Sequence, residues 1–302
     1  MENIAIRIID STAFYQQALR GQATEDDFRY QLMAPLEKMW QYLNAPLKPK
    51  SLGGYDVVMA SEMMGIWTPR KSNQLIADKL EKLVATNIFT EAPAVLRQGI
   101  SAFAEIGYQI PVTEIVVTIL LGDSEKSILM ASEGYSGFGG IPGFIFLVVV
   151  PNHFNQSRLK SALAHELNHN VRFTYAPFNH GDVSVEEYLV IEGLAEVFAE
   201  KLYGIDQRGP WVQNFTEKEL ADSIDVMKAG RQARGFEQVA AYMYGDAVAK
   251  AQGYAPVGLS RNAGYTVGYH LVKKYLKNTG ASIEKATLTP SAEIIKESKI
   301  FD

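Results

Sequence analysis

One stretch of the chain combines an amphipathic helical pattern with a compact group of polar side chains. It runs from Arg158 to Phe173 (RLKSALAHELNHNVRF) and contains His165, Glu166 and His169 in the spacing H-E-x-x-H. Side chains four residues apart share one face of a helix, so the two histidines lie one turn apart on the same side. Apolar residues recur every four positions in the same stretch: Leu159, Leu163, Leu167 and Val171. Because this stripe lies roughly 200° around the helix from the first histidine, the fold must bury one side of the helix and present the histidines on another.

The residue types in this group determine which metal they would suit. The chain has no cysteine and five histidines, so a metal site must use imidazole and carboxylate ligands. Imidazole nitrogens bind zinc, and histidines at i and i+4 converge on one ion while leaving room for a third ligand and a water. Glu166 points about 100° further round the helix, beside that water rather than at the ion. The alternative is a chance spacing on an ordinary helix, but the separate apolar stripe favours one Zn²⁺ ion bound by His165 and His169.

A second helical stretch, from Tyr188 to Ala199 (YLVIEGLAEVFA), supplies candidates for the third ligand. Only Glu192, Gly193 and Glu196 interrupt its apolar sequence, which predicts a largely buried helix. A buried carboxylate needs a partner, and a metal ion or the free N–H of a ligating histidine provides one. We assign Glu192 to the ion and Glu196 to a ligating histidine, with the reverse assignment left open, and expect Gly193 to allow close approach to the histidine helix. An exposed acidic stripe that continues to Glu200 is the other interpretation.

The motifs HELNH and EGLAE, together with GYTVGYHLVKKYL further on, resemble those of the YjaZ-like family of predicted bacterial zinc-dependent proteases. The two motifs also look like the gluzincin pattern H-E-x-x-H…E-x-x-x-[DE], and the similarity covers roughly Phe144 to Leu276. It implies an α+β fold of the thermolysin-like zincin type, with a small mixed sheet whose edge strand borders a cleft and a mainly helical C-terminal lobe. Carried over by position, the resemblance implies these roles: His165, His169 and Glu192 as metal ligands, Glu166 as catalytic base and Glu196 as the acid behind the ligands.

A further helical stretch, from Asn262 to Lys277, contains Tyr265, Tyr269 and His270. Peptide hydrolysis needs a hydrogen-bond donor for the tetrahedral oxyanion, and such a donor is often a polar side chain. The family resemblance makes Tyr265 the first choice for this catalytic role and His270 the second. The alternative is that these side chains pack as an aromatic wall.

Three more residues bear on the site. Arg172 is open to three interpretations: an ion pair with an acid behind the site, a substrate contact, or an ordinary charge at a helix terminus. His153 and His180 lie in segments rich in Asn, Pro and Gly. A histidine in such a segment is expected to be exposed, and we assign neither of them a metal role.

The rest of the chain indicates a sheet followed by helices. Runs rich in β-branched and aromatic residues predict strands at Ile4–Ile9, Val112–Leu121, Ser127–Ala131 and Phe144–Val150. Helical periodicity predicts helices at Thr24–Leu43, Asn73–Ala85, Ala92–Ile106, Arg158–Phe173, Ser184–Tyr203, Thr216–Lys228 and Asn262–Lys277. We expect an N-terminal helical and sheet lobe, residues 1–155, and a metal-binding helical lobe, residues 156–302, forming one catalytic unit with a cleft between them.

Two features of the expected sheet concern substrate binding. Phe144–Val150 (FIFLVVV) is expected to be an edge strand, along which an extended peptide adds by backbone hydrogen bonds. The preceding sequence, EGYSGFGGIPGF, lacks the phosphate-loop motif and leads into a strand rather than a helix. We therefore expect a flexible hairpin loop beside the cleft and not a phosphate site.

Composition excludes several classes of protein. The 302 residues include 29 Lys and Arg against 34 Asp and Glu, a net charge of -5, and no basic cluster, which argues against nucleic-acid binding. The longest apolar run found, Phe144–Val150, is far short of the ~18–20 residues that cross a bilayer. The N-terminus lacks the basic start and apolar core of a secretory signal, so we expect a cytoplasmic protein, although a chain trimmed of its leader would look the same.

The expected function is that of a zinc metallopeptidase acting on peptides or proteins, in which Glu166 activates a zinc-bound water. One alternative keeps the zinc but makes the protein a peptide-binding or chaperone-like module with little or no turnover. A non-peptide hydrolase that uses the same ion is a third reading. The carboxylate favours an enzyme, because a binding module has no need of a base beside the water.

Overall fold

The structure is a computed structural model that describes residues 4–177, 179, 181–212 and 214–302. It contains many helices and a small sheet, which confirms the α+β class. The strands are β1 (Ala5–Ile9), β2 (Glu114–Leu121), β3 (Tyr135–Ile141) and β4 (Phe144–Val149). The α-helices are α1 (Thr12–Leu19), α2 (Glu25–Asp27), α3 (Glu37–Tyr42), α4 (Val57–Met63), α5 (Ala77–Ala85), α6 (Ile88–Glu105), α7 (Ser127–Ala131), α8 (Leu159–Tyr175), α9 (Val185–Tyr203), α10 (Glu217–Gly230), α11 (Phe236–Tyr244), α12 (Asp246–Ala251), α13 (Ala263–Thr279), α14 (Ile283–Thr287) and α15 (Ser291–Ser298). Within the described ranges, no helix is both long enough and apolar enough to cross a membrane.

The described residues group into two compact units. The first comprises the residues up to Gln98 and Pro111–Glu166, and the second comprises Gly99–Ile110 and the residues from Leu167 onward. Two of the three boundaries fall within helices, since α6 and α8 each contribute residues to both units, and the third lies between Ile110 and Pro111, outside the helices. The division into lobes between residues 155 and 156 stays a prediction.

The sheet of the first unit has four strands in the order β1-β2-β4-β3. β1 runs parallel to β2, β2 runs parallel to β4, and β3 runs antiparallel to β4. The sheet is therefore small and mixed, as the sequence predicted. β4 is a continuous apolar run, β2 is apolar except for Glu114 and Thr118, and the residues of both strands are nearly all buried, as expected for strands covered on both faces.

The prediction that Phe144–Val150 forms an edge strand is wrong. Phe146 of β4 pairs with Thr118 of β2 on one side and with Phe138 of β3 on the other. An unbroken apolar run fits an inner strand, because edge strands usually carry charges or breaks that prevent further pairing. The outer strands of the sheet are β1 and β3.

Two predictions of secondary structure close to β4 are also wrong. The glycine-rich segment, expected to be the loop between two strands, is itself strand β3, and its Gly137 pairs with Leu147 of β4. The expected hairpin is present as the antiparallel pair of β3 and β4. Glycine has a low intrinsic strand propensity, so the ladder with β4 and the neighbouring helix decide the structure here. The expected strand Ser127–Ala131 is helix α7. A short apolar run does not distinguish a strand from a short helix, and tertiary packing decides between them.

The predicted helices are present, but two of them are interrupted. The stretch Asn73–Ala85 consists of a 3-10 turn at Asn73–Leu75 followed by α5. The stretch Thr24–Leu43 is divided into α2, a π-helical turn at Phe28–Met33, a 3-10 turn at Ala34–Leu36, and α3. Pro35 lies at this break, and proline cannot donate a helical hydrogen bond. The side chains of Ser184 and Thr216 cap the first turns of α9 and α10, which explains why those two helices begin where the sequence predicted.

In the second unit, helices α9 and α13 approach each other closely at two glycines. A Cβ atom on Gly193 would lie 2.1 Å from the carbonyl oxygen of Gly268, and a Cβ atom on Gly268 would lie 2.3 Å from the carbonyl oxygen of Leu189. A side chain at either position would push the helices apart. The prediction that Gly193 allows close approach of the histidine helix is therefore wrong, because the helix that lies closest to Gly193 is α13.

Candidate metal centre

Helix α8 brings the predicted metal-binding side chains together. His165, Glu166 and His169 are 4%, 6% and 7% exposed, and one ligand atom from each lies within 4.8 Å of the others. The apolar stripe on the same helix is buried, as predicted: Leu159, Leu163, Leu167 and Val171. Burying imidazoles and a carboxylate costs free energy unless they have partners. A group that converges in this way could therefore hold a metal ion.

Helices α6, α8 and α9 meet at Gly99 of α6. A Cβ atom on Gly99 would lie 2.4 Å from a methyl carbon of Leu167 and 3.5 Å from the ring of Phe198. One helical turn away, the rings of Phe103 and Phe198 lie 5.2 Å apart. The apolar side of α8 thus packs tightly in this region, and such packing fixes the orientation of a helix.

Glu192 of α9 lies beside His169. The residue is 7% exposed, and its Oε2 atom lies 3.6 Å from Nε2 of His169. Helix α9 is buried along almost its whole length from Val185 to Ala199. This burial confirms the prediction of a buried helix and argues against an exposed acidic stripe that includes Glu192 and Glu196.

Glu196, one turn further along α9, has partners in the segment that follows the helix. Its Oε1 atom accepts the backbone N–H of Gly209 at 2.7 Å, and its Oε2 atom accepts the indole N–H of Trp211 at 2.6 Å. The residue is 2% exposed, so these bonds replace water at both oxygens. Glu196 therefore ties this segment to α9, and its bond to a ligating histidine stays a prediction.

Tyr265 of α13 lies in an aromatic group near Glu192. Its ring centre is 6.3 Å from that of Trp211 and 6.0 Å from that of Tyr244, and the Tyr244 hydroxyl forms hydrogen bonds with the hydroxyls of Tyr188 and Tyr265. Loss of solvent raises the pKa of Tyr265 well above its usual value, and the neighbouring Tyr244 and Glu192 raise it further. The ring packs in an aromatic wall, and the hydroxyl keeps its proton and can donate a hydrogen bond.

His270, the second candidate donor, has a different setting. It lines a pocket of about 450 Å³ together with apolar and basic side chains: Leu220, Ile224, Lys273, Lys274, Lys277 and Ile300. Burial lowers the pKa of His270, and the positive charges of Arg208 and Lys273 lower it further. The structure thus places His270 among lysines, whereas it places Tyr265 near Glu192.

Arg172 and Asn168 connect α8 to residues 287–291, which run from the last residue of α14 to the first residue of α15. Arg172 is 2% exposed and donates to the carbonyl oxygens of Thr287 and Thr289 at 2.8 and 2.5 Å and to the hydroxyl of Ser291 at 2.9 Å. The Asn168 amide donates to the hydroxyl of Thr287 at 2.8 Å. Burial lowers the pKa of Arg172 to about 10, so the guanidinium stays charged at neutral pH. It anchors the helix through carbonyl and hydroxyl oxygens rather than through an acid.

Two further histidines have no predicted metal role. His153 is exposed, as predicted. His180 lies outside the described residues.

The sequence reasoning missed one segment of the site. Strand β3 passes so close to α8 that a Cβ atom on Gly137 would lie 2.2 Å from Oε1 of Glu166, and a Cβ atom on Gly139 would lie 2.2 Å from the Glu166 carbonyl oxygen. Residues two apart face the same side of a strand. The alternating glycines in G-F-G were therefore the available signal that another backbone approaches here.

Comparison with known proteins identifies the family. A family model described as "Predicted Zn-dependent protease (DUF2268)" matches residues 91–296. The chain belongs to this family. It is 42% identical over 286 residues to "Uncharacterized protein YjfC" of Bacillus subtilis (strain 168), and the match covers 94% of each chain. "Uncharacterized protein YjaZ" of the same bacterium is 26% identical over 166 residues, which are 51% of this chain and 58% of that protein.

These matches confirm the resemblance to the YjaZ-like family. No solved structure matches the chain. The residues matched by the DUF2268 family include β3, α8, α9 and α13.

The donor set of this DUF2268 member fits the metal named in the family description. Imidazoles from one helix and a carboxylate from another are ligands that zinc takes in sites that keep one position open. Cysteine, the other common zinc ligand, is absent from the chain. The group on α8, with Glu192 beside it, therefore suits a zinc ion.

Proposed function

We propose that this protein is a peptidase that holds one Zn²⁺ ion with His165, His169 and Glu192. The observation that carries the proposal is the buried group on α8, whose ligand atoms lie within 4.8 Å of one another, with Glu192 at 3.6 Å from His169. Glu192 is preferred to Glu196 because both oxygens of Glu196 accept hydrogen bonds from the segment after α9. When bound, the ion supplies a Lewis acid that polarises a carbonyl group and makes water more acidic.

Glu166 is the proposed general base. It lies on α8 next to His165, and its side chain is largely shielded from solvent. A carboxylate in this position takes a proton from the water that attacks the peptide carbonyl, and then gives that proton to the leaving amine. Exclusion of bulk water strengthens these interactions, because the local dielectric constant is lower than in solution.

Tyr265 is the proposed donor to the oxyanion that forms during attack, with His270 as the second candidate. The raised pKa of Tyr265 keeps its hydroxyl protonated, which a donor requires. A single donor of this kind contributes roughly 3–4 kcal/mol of transition-state stabilisation. The position of Tyr265 near Glu192 supports this choice, since His270 lies in the pocket lined by lysines.

We further propose that an extended peptide substrate pairs with β3, within a thermolysin-like zincin arrangement. The N–H of Val150 donates to the carbonyl oxygen of Gly134 at 2.6 Å, and in an antiparallel ladder every second residue bonds across to its partner. Gly137 is in the alternate position, so its N–H and C=O point away from β4. These groups are suited to bond an added peptide strand beside Glu166. A cytoplasmic location is part of the proposal and rests on the sequence alone.

Hydrolysis of a mixed peptide library by the zinc-loaded chain tests the proposal. Glu166→Gln keeps the size of the side chain but removes the base, and should lower kcat by roughly 10²–10⁴-fold with zinc content and peptide binding unchanged. Glu105→Gln, at an exposed position on α6, is the matched control and should keep wild-type activity.

Three outcomes would contradict the proposal. Hydrolysis that survives Glu166→Gln excludes this base. Zinc-dependent peptide binding without turnover in the wild type would indicate a peptide-binding module. Cleavage restricted to non-peptide substrates would indicate a different hydrolase.

A further inference from the structure

Gly137 of β3 lies where a side chain would displace the carboxylate of Glu166. The three atoms nearest to a Cβ atom placed on Gly137 all belong to that glutamate: Oε1 at 2.2 Å, Cδ at 2.5 Å and Cγ at 2.7 Å. Non-bonded carbon and oxygen atoms do not approach this closely without strong repulsion. Glu166 can therefore occupy its present position only if residue 137 has no side chain.

Space, rather than backbone conformation, requires glycine at this position. Gly137 is not among the glycines with a positive φ, so any L-residue could adopt its backbone conformation. Glycine also weakens a strand, because it loses more conformational freedom on folding and has no side chain to pack. The approach of Glu166 explains why a glycine lies in the middle of β3.

The other glycines of β3 have different neighbours. A Cβ atom on Gly139 would lie 2.2 Å from the backbone oxygen of Glu166, so a side chain there would push the helix itself. A Cβ atom on Gly140 would meet only the ring of Phe138, at 3.4 Å, which is an ordinary contact distance. Gly137 is thus the position where an added methyl group would meet the movable end of the Glu166 side chain.

We infer that Gly137 is a positioning residue for Glu166. Because Gly137 has no side chain, β3 leaves the space in which the carboxylate lies. A methyl group added at this position turns the carboxylate away, while the α8 backbone and its histidines stay in place. The catalytic consequence rests on the proposed function, because it assumes that Glu166 acts as a base. The steric relation between the two residues does not depend on that assumption.

Thermal unfolding of the metal-free full chain tests the steric relation. The proteins compared are the wild type, Gly137→Ala, Glu166→Ala and the double variant. We expect Gly137→Ala to lower Tm by roughly 2–8 °C when Glu166 is present. When residue 166 is alanine, the same substitution should leave Tm unchanged or raise it, because the methyl group then has room.

Gly140→Ala is the matched control, and it should shift Tm equally with and without the Glu166 side chain. Equal shifts for Gly137→Ala in both backgrounds would overturn the inference. If Gly137→Ala does not fold by itself, a cooperative transition recovered in the double variant supports the inference, and failure of the double variant to fold overturns it.

Peptide hydrolysis by the zinc-loaded variants tests the catalytic consequence. The kcat of Gly137→Ala should fall by roughly 10²-fold, as expected for a displaced catalytic group, while KM and zinc content stay at wild-type values. Glu105→Gln, at an exposed position on α6, should retain wild-type kcat. A wild-type kcat in Gly137→Ala overturns the positioning role. If the wild-type protein itself hydrolyses no peptide, the proposed function fails, and the thermal comparison still decides whether Gly137 positions Glu166.

Discussion

Helix α8 carries two groups of buried polar side chains that differ in their partners. In the metal group, formed by His165, Glu166 and His169, the ligand atoms converge to within 4.8 Å of one another. In the anchor group, formed by Asn168 and Arg172, the donors bond to oxygen atoms of residues 287–289, at the end of α14 and just after it. Ligand atoms that converge can bind one shared ion, whereas donors that bond to oxygen atoms of another segment hold the two segments together. Burial alone therefore does not distinguish the two groups. They differ in whether their polar atoms converge on one another or bond to another segment of the chain.

The largest expected effect is the loss of zinc from the metal group. His165→Ala removes one of a few ligands and should lower zinc affinity on the order of 10³-fold, since each ligand contributes a comparable share of the binding free energy. Elemental analysis and the rise of Tm on adding zinc measure this change. The exposed His153 offers the control, and His153→Ala should bind zinc as the wild type does. Wild-type zinc affinity in His165→Ala would show that the metal group is not a metal site.

The next effect distinguishes the two glutamates of α9. Glu192→Gln replaces a charged ligand by a neutral amide and should lower zinc affinity on the order of 10²-fold. Glu196→Gln should change zinc affinity much less, because its carboxylate accepts bonds from Gly209 and Trp211. Zinc titration of both variants provides the comparison.

Two other outcomes for Glu196→Gln would change the role assigned to Glu196. A loss in Glu196→Gln of about 10- to 100-fold would indicate the predicted bond to a ligating histidine. A loss in Glu196→Gln larger than that in Glu192→Gln would reverse the assignment of the third ligand.

Substitutions in the anchor group are expected to have a smaller effect. They should lower the stability of the fold and leave zinc affinity unchanged. Arg172→Met keeps the aliphatic length but removes a buried charge and leaves the carbonyl oxygens of Thr287 and Thr289 without their donor. The free energy of unfolding should fall by about 2–4 kcal/mol, measured by urea denaturation, while the folded protein still binds zinc. Arg97→Met, at an exposed position, should stay within about 0.5 kcal/mol of the wild type. Loss of zinc from folded Arg172→Met would mean that the two groups are not separate.

The smallest effect concerns the bond between Asn168 and Thr287. Asn168→Ala should lower the free energy of unfolding by about 0.5–1.5 kcal/mol, the usual range for one buried hydrogen bond. A double-mutant cycle with Thr287→Val isolates the contribution of the bond. Additive effects of the two substitutions would show that this bond contributes nothing, and would restrict the anchor group to Arg172.

Local geometry explains why the metal group and its helix could be predicted. The spacing of His165 and His169 and the apolar stripe on the same helix follow from the 3.6-residue repeat, which does not depend on the rest of the chain. The burial of Glu192 and Glu196 followed from the apolar sequence around them. The capping side chains of Ser184 and Thr216 marked the starts of their helices for the same local reason.

The sheet shows where local patterns fail. The sequence of β4 indicates a strand, but its inner position depends on the pairing of Phe146 with Thr118 and Phe138 from two other strands. The segment that forms β3 has the composition of a loop, and its structure depends on the ladder with β4 and on the helix that passes over Gly137. For this reason, the strand proposed to pair with a peptide substrate is β3 and not β4.

By itself, the sequence determined the elements and faces that arise from neighbours along the chain: the histidine helix, its apolar side, the buried glutamate helix and the runs that form β2 and β4. Only the tertiary structure decided which strand is outermost, that Gly137 makes room for Glu166, and that Arg172 bonds to Thr287, 115 residues away. The physical reason is that a helical or strand repeat acts over a few residues, whereas contacts between distant segments depend on how complete elements pack.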